Sequence, residues 1–411
     1  MTAEPKVEES RAPAIWSIYK EWDEAGPARG SGSGAEYVLY SDSHANGSSG
    51  LWGPVSLFSV LPGNPEGSLG PIIIARIMNP DPKKDPAGPV RLPSPSTGLL
   101  LEDEMAALLS LQTGARIRTG GHYRVFGAQF DPLGTPNEYG HRAPAWVGPR
   151  SGERPRILPC SIDLHQATGI LTMLTGLDGL AATTLVRAAS RVRDALWIAD
   201  TDTDLAWQLL ISALETAASH WWKKPRSVEV VRTADPELAQ ILVDQGGDAF
   251  LKKVAPSLQH LKGTARFRAF VAEFTPQPFD LRPEPPGQIE WDNLETIFNR
   301  IYELRSQGLH GGEPFPQPLG NPPLLNREIR RREPEGYMGP PSREPLSPLP
   351  NDAVPLERIP ASLLSGEYRD TWTADDAPMY LNTFSRLVRE VLITWAKDAV
   401  RRGGAGRRIA G

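Results

Sequence analysis

The chain has 411 residues, 40% of them hydrophobic and 23% charged, which supports a folded protein of two or three domains and excludes wholesale disorder. A net charge of −5 argues against a chain held on nucleic acid by overall charge alone. One cysteine, Cys160, excludes an internal disulfide or a cysteine-rich zinc site, and the lack of an apolar leader or an 18-residue apolar run points to a soluble cytoplasmic protein.

Residues 1–15 and the Gly/Ser stretch 30–34 read as flexible polar segments. Residues 36–40, 55–61, 72–78 and 123–130 have short-strand character, separated by Gly, Pro, Asn and Ser clusters. Residues 99–113 carry helical spacing, with Leu101, Met105, Leu108 and Leu109 on one side. Residues 1–159 therefore read as a mixed N-terminal domain.

From residue 160 long helical periods take over. Over 202–222, Leu205, Leu209, Leu210, Ala213, Leu214 and Ala217 make one apolar face, with Asp202 or Asp204 as the cap. A helix over 236–254 begins with Asp235 as N-cap and Pro236 in its first position, and Gly246-Gly247 threatens to interrupt it. Residues 264–274 align Phe267, Phe270, Val271 and Phe274. Residues 292–308 align Leu294, Ile297, Phe298, Ile301 and Leu304, and Gly311-Gly312 supplies a stop.

Residues 313–360 hold 13 prolines in 48 positions, so an extended arm is expected over 313–377, with a basic run at 327–332. A last helix returns over 378–401, faced by Leu381, Phe384, Leu387, Val388, Val391, Leu392 and Trp395. The Gly/Arg-rich tail 402–411 reads as mobile.

Several chemistries lack their motifs. There is no phosphate-binding Gly-x-x-x-x-Gly-Lys-Ser/Thr loop, no Gly-x-Ser-x-Gly elbow and no His-Glu-x-x-His. Residues 41–44 (Ser-Asp-Ser-His) read as loop, His220 beside Trp221 and Trp222 as aromatic packing, and Cys160 as an unactivated thiol.

The informative stretch is 299–312. Arg305 and His310 stand five residues apart at the end of an amphipathic helix. Five steps of 100° separate them by about 140° in an ideal helix, and Gly308 offers a place for distortion. A guanidinium grips a phosphate bidentately, and a neutral imidazole takes the proton of a ribose 2′-hydroxyl.

The sequence Tyr302-Glu-Leu-Arg305-Ser-Gln-Gly-Leu-His310-Gly311 resembles the Arg-x4–6-His motif of the HEPN superfamily, and more narrowly its Apea-like branch. Ala213-Leu214-Glu215 resembles the Ala-Leu-Glu that this branch carries upstream, and 387–392 resembles the segment after the motif. Ser306 departs from the Asn, Asp or His that many RNA-cleaving members place after the Arg.

The resemblance implies an α+β chain in which a mixed domain precedes an all-helical HEPN-like bundle over 160–312, completed by the helix 378–401. It implies a homodimer, an RNA substrate and no cofactor or metal. As an endoribonuclease in a defence or toxin role, the chain would use Arg305 to hold phosphate, His310 as base, Ser306 as an orienting group and Glu215 to steer the pair. The other reading is a catalytically silent dimerisation or sensing module, with the first 159 residues binding a ligand or protein trigger. Residues 160–312 carry 15 Lys/Arg against 19 Asp/Glu, so RNA would need a local basic patch such as Lys223, Lys224 and Arg226.

Overall fold

A computed structural model describes residues 12–25, 33–47, 50–61, 67–78, 93–126, 134–136, 141–150, 152–328, 353–369 and 371–409. The chain is α+β, an antiparallel sheet followed by a helical region.

The sheet is built on β1 (Gly34–Ser41), all eight residues of which are buried. It pairs antiparallel with β5 (Gly70–Met78) on one side and with β6 (Arg118–Phe126) on the other. Beyond β5 come β4 (Val55–Ser59) and β3 (Gly50–Trp52), and beyond β6 comes β7 (Thr135–Pro136). The strand expected at 123–130 thus begins earlier, and 127–130 lie outside the described residues. A strand buried on both faces needs apolar side chains in both directions, which is why 37–40 is apolar without alternation.

Helix α1 (Ala14–Ala25) and α2 (Leu101–Thr113) accompany the sheet. Leu101, Met105, Leu108 and Leu109 are buried as expected, and Glu102 and Glu104 are buried with them. Gly114 ends α2 in the left-handed region at φ 79°, and its N–H donates to the Ser110 carbonyl. Arg116 is buried and holds two carboxylates, Asp42 at 2.5 Å and Asp200 at 2.7 Å. The segment 41–43 that reads as loop is therefore a buried corner clamped to the helical region.

The region from 160 begins with a strand. β8 (Ser161–Asp163) pairs in parallel with β2 (His44–Asn46), so the helical part is not all-helical. Then follow α3 (Leu164–Ala167), α4 (Gly169–Gly176), α5 (Gly179–Ile198), α6 (Thr203–Trp221), α7 (Ser227–Ala234), α8 (Pro236–Val254), α9 (Lys262–Phe274) and α10 (Leu294–Gly311). Asp202 caps α6 by accepting from the Leu205 N–H, and Asp235 caps α8 by accepting from the Leu238 N–H. Gly246 and Gly247 break the helical dihedrals inside α8.

The Pro-rich segment behaves partly otherwise than as an arm. Its middle, 329–352, with most of the basic run 327–332, lies outside the described residues. Its described ends enter the main core through Phe315, Leu319, Leu356 and Ile359, and it contains α11 (Ala361–Gly366). The Trp207 indole N–H donates to the Leu319 carbonyl.

The last helix, α12 (Leu381–Ile409), overruns its expected end, because the tail expected to be mobile continues it to Ile409. Arg402 pairs with Asp398 one turn back, at 2.6 Å, which supports the extra turns. One contiguous core joins sheet, α2 and the helices, from Ile15 and Leu39 to Trp207 and Trp395. Among the described residues, no helix is long and apolar enough to cross a membrane.

Candidate active site at the α6–α10 contact

Helix α10 crosses α6 and α9 with its apolar stripe inward. Leu294, Phe298, Ile301 and Leu304 are buried, and Phe298 tilts against Phe267 of α9 and Phe384 of α12. This packing fixes the rotation of α10. Tyr302 then lies flat on Phe267, with ring centroids 4.4 Å apart, and Arg305 emerges one turn later at the edge of the α6 contact.

Glu215 of α6 meets both residues. The Tyr302 hydroxyl donates to its Oε1 at 3.1 Å, and Arg305 Nη2 donates to its Oε2 at 2.9 Å. The guanidinium carbon also lies 5.8 Å from the Tyr302 ring centre. Both Arg305 and Glu215 are about one-fifth to one-quarter exposed, 21% and 24%, so the pair is open to a ligand. Burial, reinforced by the Glu215 carboxylate, pushes the Tyr302 phenol up to about 12, so it stays protonated and donating. Arg305 Nε is buried with no hydrogen-bond partner among the described residues.

The expectation that Glu215 steers Arg305 thus corresponds to a direct contact. Tyr302, a residue of the motif, is the second donor to that carboxylate. Its signal is the i, i+3 spacing to Arg305, which places both on one helix face. Ser306 is half-buried and makes no hydrogen bond among the described residues.

His310 occupies the last turn of α10, and its side chain lies outside the described residues. The distortion that Gly308 permits does not occur: α10 runs without a break to Gly311 and ends at Gly312, φ 71°, whose N–H donates to the Gly308 carbonyl. The reason is that the chain turns only after Gly312 and folds Glu313 back over Gly308, where a Cβ would lie 3.2 Å from the Glu313 carbonyl oxygen. The separation of about 140° between Arg305 and His310 around the axis therefore stands.

Leu205, expected on the buried face of α6, is 41% exposed, because it belongs to the first turn, before α6 reaches its neighbours. Leu309 of α10 is 48% exposed. The two helices of the site thus carry two of the large apolar side chains left open to solvent.

The other residues weighed from sequence fall into packing roles. Trp221 meets Phe270 and Phe274 edge-on, and His220 meets Trp395. Burial holds the His220 imidazole below its usual range, with Lys223 adding to the effect. Burial raises the Cys160 thiol, which keeps it protonated.

A cleft of about 750 Å³ opens at the start of α6, lined among others by Asp202, Asp204, Glu367 and Arg369. Its carboxylates outnumber its single guanidinium and disfavour a phosphate. Among the described residues, no three His, Cys, Asp or Glu side chains cluster as metal ligands. Comparison with known proteins returned no match, neither to a family model, nor to a curated sequence, nor to a solved structure.

Proposed function

We propose that the chain is an endoribonuclease of the HEPN type, acting in a defence or toxin setting, and that α6 and α10 carry its catalytic pair. The supporting observation is the Glu215 carboxylate held by two donors from α10. Tyr302 occupies one oxygen, so the other is fixed in place for Arg305. One N–H of the guanidinium is thereby anchored, and the planar fork is oriented rather than swinging freely.

In this reading Arg305 holds the scissile phosphate. His310, neutral, takes the proton of the adjacent 2′-hydroxyl. The 2′-oxygen attacks phosphorus, the bond to the 5′-oxygen breaks, and that oxygen leaves with a proton as a 5′-hydroxyl. The other fragment ends in a 2′,3′-cyclic phosphate. Guanidinium charge stabilises the phosphorane-like transition state, a role in which every step uses side chains of the protein alone.

Residues about 140° apart on an unbroken helix do not share a face, so a second copy would bring its own His310 to the Arg305 of the first. The exposed Leu205 and Leu309 on the same helices suit such an association. A homodimer in sedimentation at micromolar concentration is expected, and a strict monomer would argue against a composite site.

The test is cleavage of RNA by the full chain, wild type and variant. His310→Ala and Arg305→Ala should each lower the rate by about 100-fold or more with folding intact. Arg305→Lys should fail as well, because an ammonium lacks the fork. Activity should survive EDTA. Products with 5′-phosphates, formed only with added Mg²⁺, would overturn the mechanism. The silent-module reading has its own support in the pairing of Arg305 with a carboxylate, and full biological activity of His310→Ala would favour it.

A further inference from the structure

The helical region is acidic as a whole, but its charge is unevenly spread. Residues 223–268 hold nine Lys/Arg against five Asp/Glu, a net +4 inside a chain of −5. This basic segment adjoins the candidate site. Tyr302 Oη lies beside Gly263, where a Cβ would be 3.4 Å away, and the Tyr302 ring stacks on Phe267 of α9. Lys262 and Arg266 stand on one side of that contact, about 6 Å apart along the axis of α9. Arg266 Nη2 then donates to the Lys223 carbonyl at 2.9 Å, so α9 touches the α6–α7 turn. Lys223, Lys224 and Arg226 follow in that turn, all exposed.

Two features of this face call for an anion from outside the chain. Lysines past the end of α6 are favoured by the helix dipole, so Lys223 and Lys224 alone have a local explanation. Lys262 does not. It opens α9, where the dipole is positive, and the first turn of α9 offers neither an acidic residue nor a side-chain cap. Among the described residues, the ion pair on the turn is a loose one, Arg226 to Glu229 at 3.9 Å, between exposed groups.

We propose that the first turn of α9 and the α6–α7 turn form a track for the backbone of single-stranded RNA, leading away from Arg305. Lys262 and Arg266 would take the phosphates next to the scissile one, and Lys223, Lys224 and Arg226 those further along. The track rests on the ribonuclease reading for its direction, and it places the substrate's remaining charge on a basic face rather than over the acidic cleft at the start of α6.

The test uses the full chain carrying His310→Ala, which binds without cutting, and a fluorescein-labelled single-stranded RNA of mixed sequence. Binding is followed by anisotropy from 50 to 300 mM KCl. Lys223→Gln with Lys224→Gln should reduce the slope of log K against log salt by about 1.4, two phosphate contacts' worth, and weaken binding roughly tenfold at low salt. Arg401→Gln with Arg402→Gln removes the same charge from α12 and should leave the slope unchanged. In the wild-type background, the track variant should raise KM for cleavage and spare kcat.

An unchanged slope in the track variant, with wild-type cleavage intact, overturns the track and leaves the ribonuclease reading standing. A reduced slope with no cleavage by wild type supports the track and sinks the ribonuclease reading. Absence of RNA binding, with capture of phosphatidylserine vesicles lost in the same variant, would assign the face to a membrane surface and overturn the track.

Discussion

Single buried polar residues set conditions on this molecule that its hydrophobic core does not. Glu104 of α2 is fully buried, yet its carboxylate accepts the Ile15 N–H at 2.9 Å and the Thr97 hydroxyl at 2.5 Å, tying the start of α1 to α2. Burial outweighs these bonds and raises the carboxyl to about 7. A folded-state value above the unfolded one means the native protein binds the proton more tightly. The stabilisation is present in full below about pH 4.5 and is lost as pH rises through 7. The swing is on the order of 3 kcal/mol. Urea midpoints measured from pH 5 to 8 should therefore fall with rising pH, and Glu104→Gln should flatten that part of the profile. An unchanged pH profile in the variant would show that other groups carry it. Glu215 follows a different logic. It is partly exposed and serves two donors, so Glu215→Gln should cost little stability, by about 1 kcal/mol or less. Its effect should appear in cleavage, as a lower kcat from a guanidinium no longer pinned by charge.

Helix ends decide how the elements dock. Arg389 of α12 is half-buried and donates to the Leu111 and Gln112 carbonyls at 2.7 Å each, closing the C-terminal turn of α2 from outside. Arg389→Leu should destabilise by about 1–3 kcal/mol, since it leaves two carbonyls at the end of α2 without their donor, and chemical denaturation measures this directly. Gly114→Ala should destabilise too, because φ is 79° and the new Cβ would collide with the Arg389 guanidinium. None of this was legible in the sequence, because an arginine 278 positions away leaves no local trace. What was legible was local. The 3.6 period located α6, α9 and α10, and Asp202 and Asp235 marked the starts of α6 and α8. Strand pairing was not, since β2 and β8 are three-residue strands brought together over more than a hundred residues. Leu205 fitted the period but not the packing, because a periodic pattern does not say where a helix gains its neighbour. At the site, Arg305 and Glu215 were both nameable from the motif, whereas their pairing through Tyr302 depends on the rotation of α10 set by Phe298.

At the scale of the molecule, the boundary drawn at residue 159 meets a continuous interior. Arg116 joins Asp42 of the sheet corner to Asp200 after α5, with each side chain 2% exposed or less. Arg389 joins α12 to α2, and Trp16 of α1 donates its indole N–H to the Leu177 carbonyl between α4 and α5. Apolar side chains from both halves belong to one core. Cutting the chain near 159 would leave Asp200 without the Arg116 charge, Arg389 without its two carbonyls, and a large apolar face of α5 and α12 in water. A buried carboxylate or guanidinium stripped of its partner costs about 3–5 kcal/mol, a large part of a typical domain's total stability of about 5–15 kcal/mol. The full chain should therefore unfold in one transition, with tryptophan fluorescence and far-ultraviolet circular dichroism superimposing along urea. A fragment spanning 160–411 should remain helical but lose fixed packing and bind apolar dyes. Two separate transitions in the intact chain, the later one reproduced by that fragment, would show instead that the sheet and the helices fold independently.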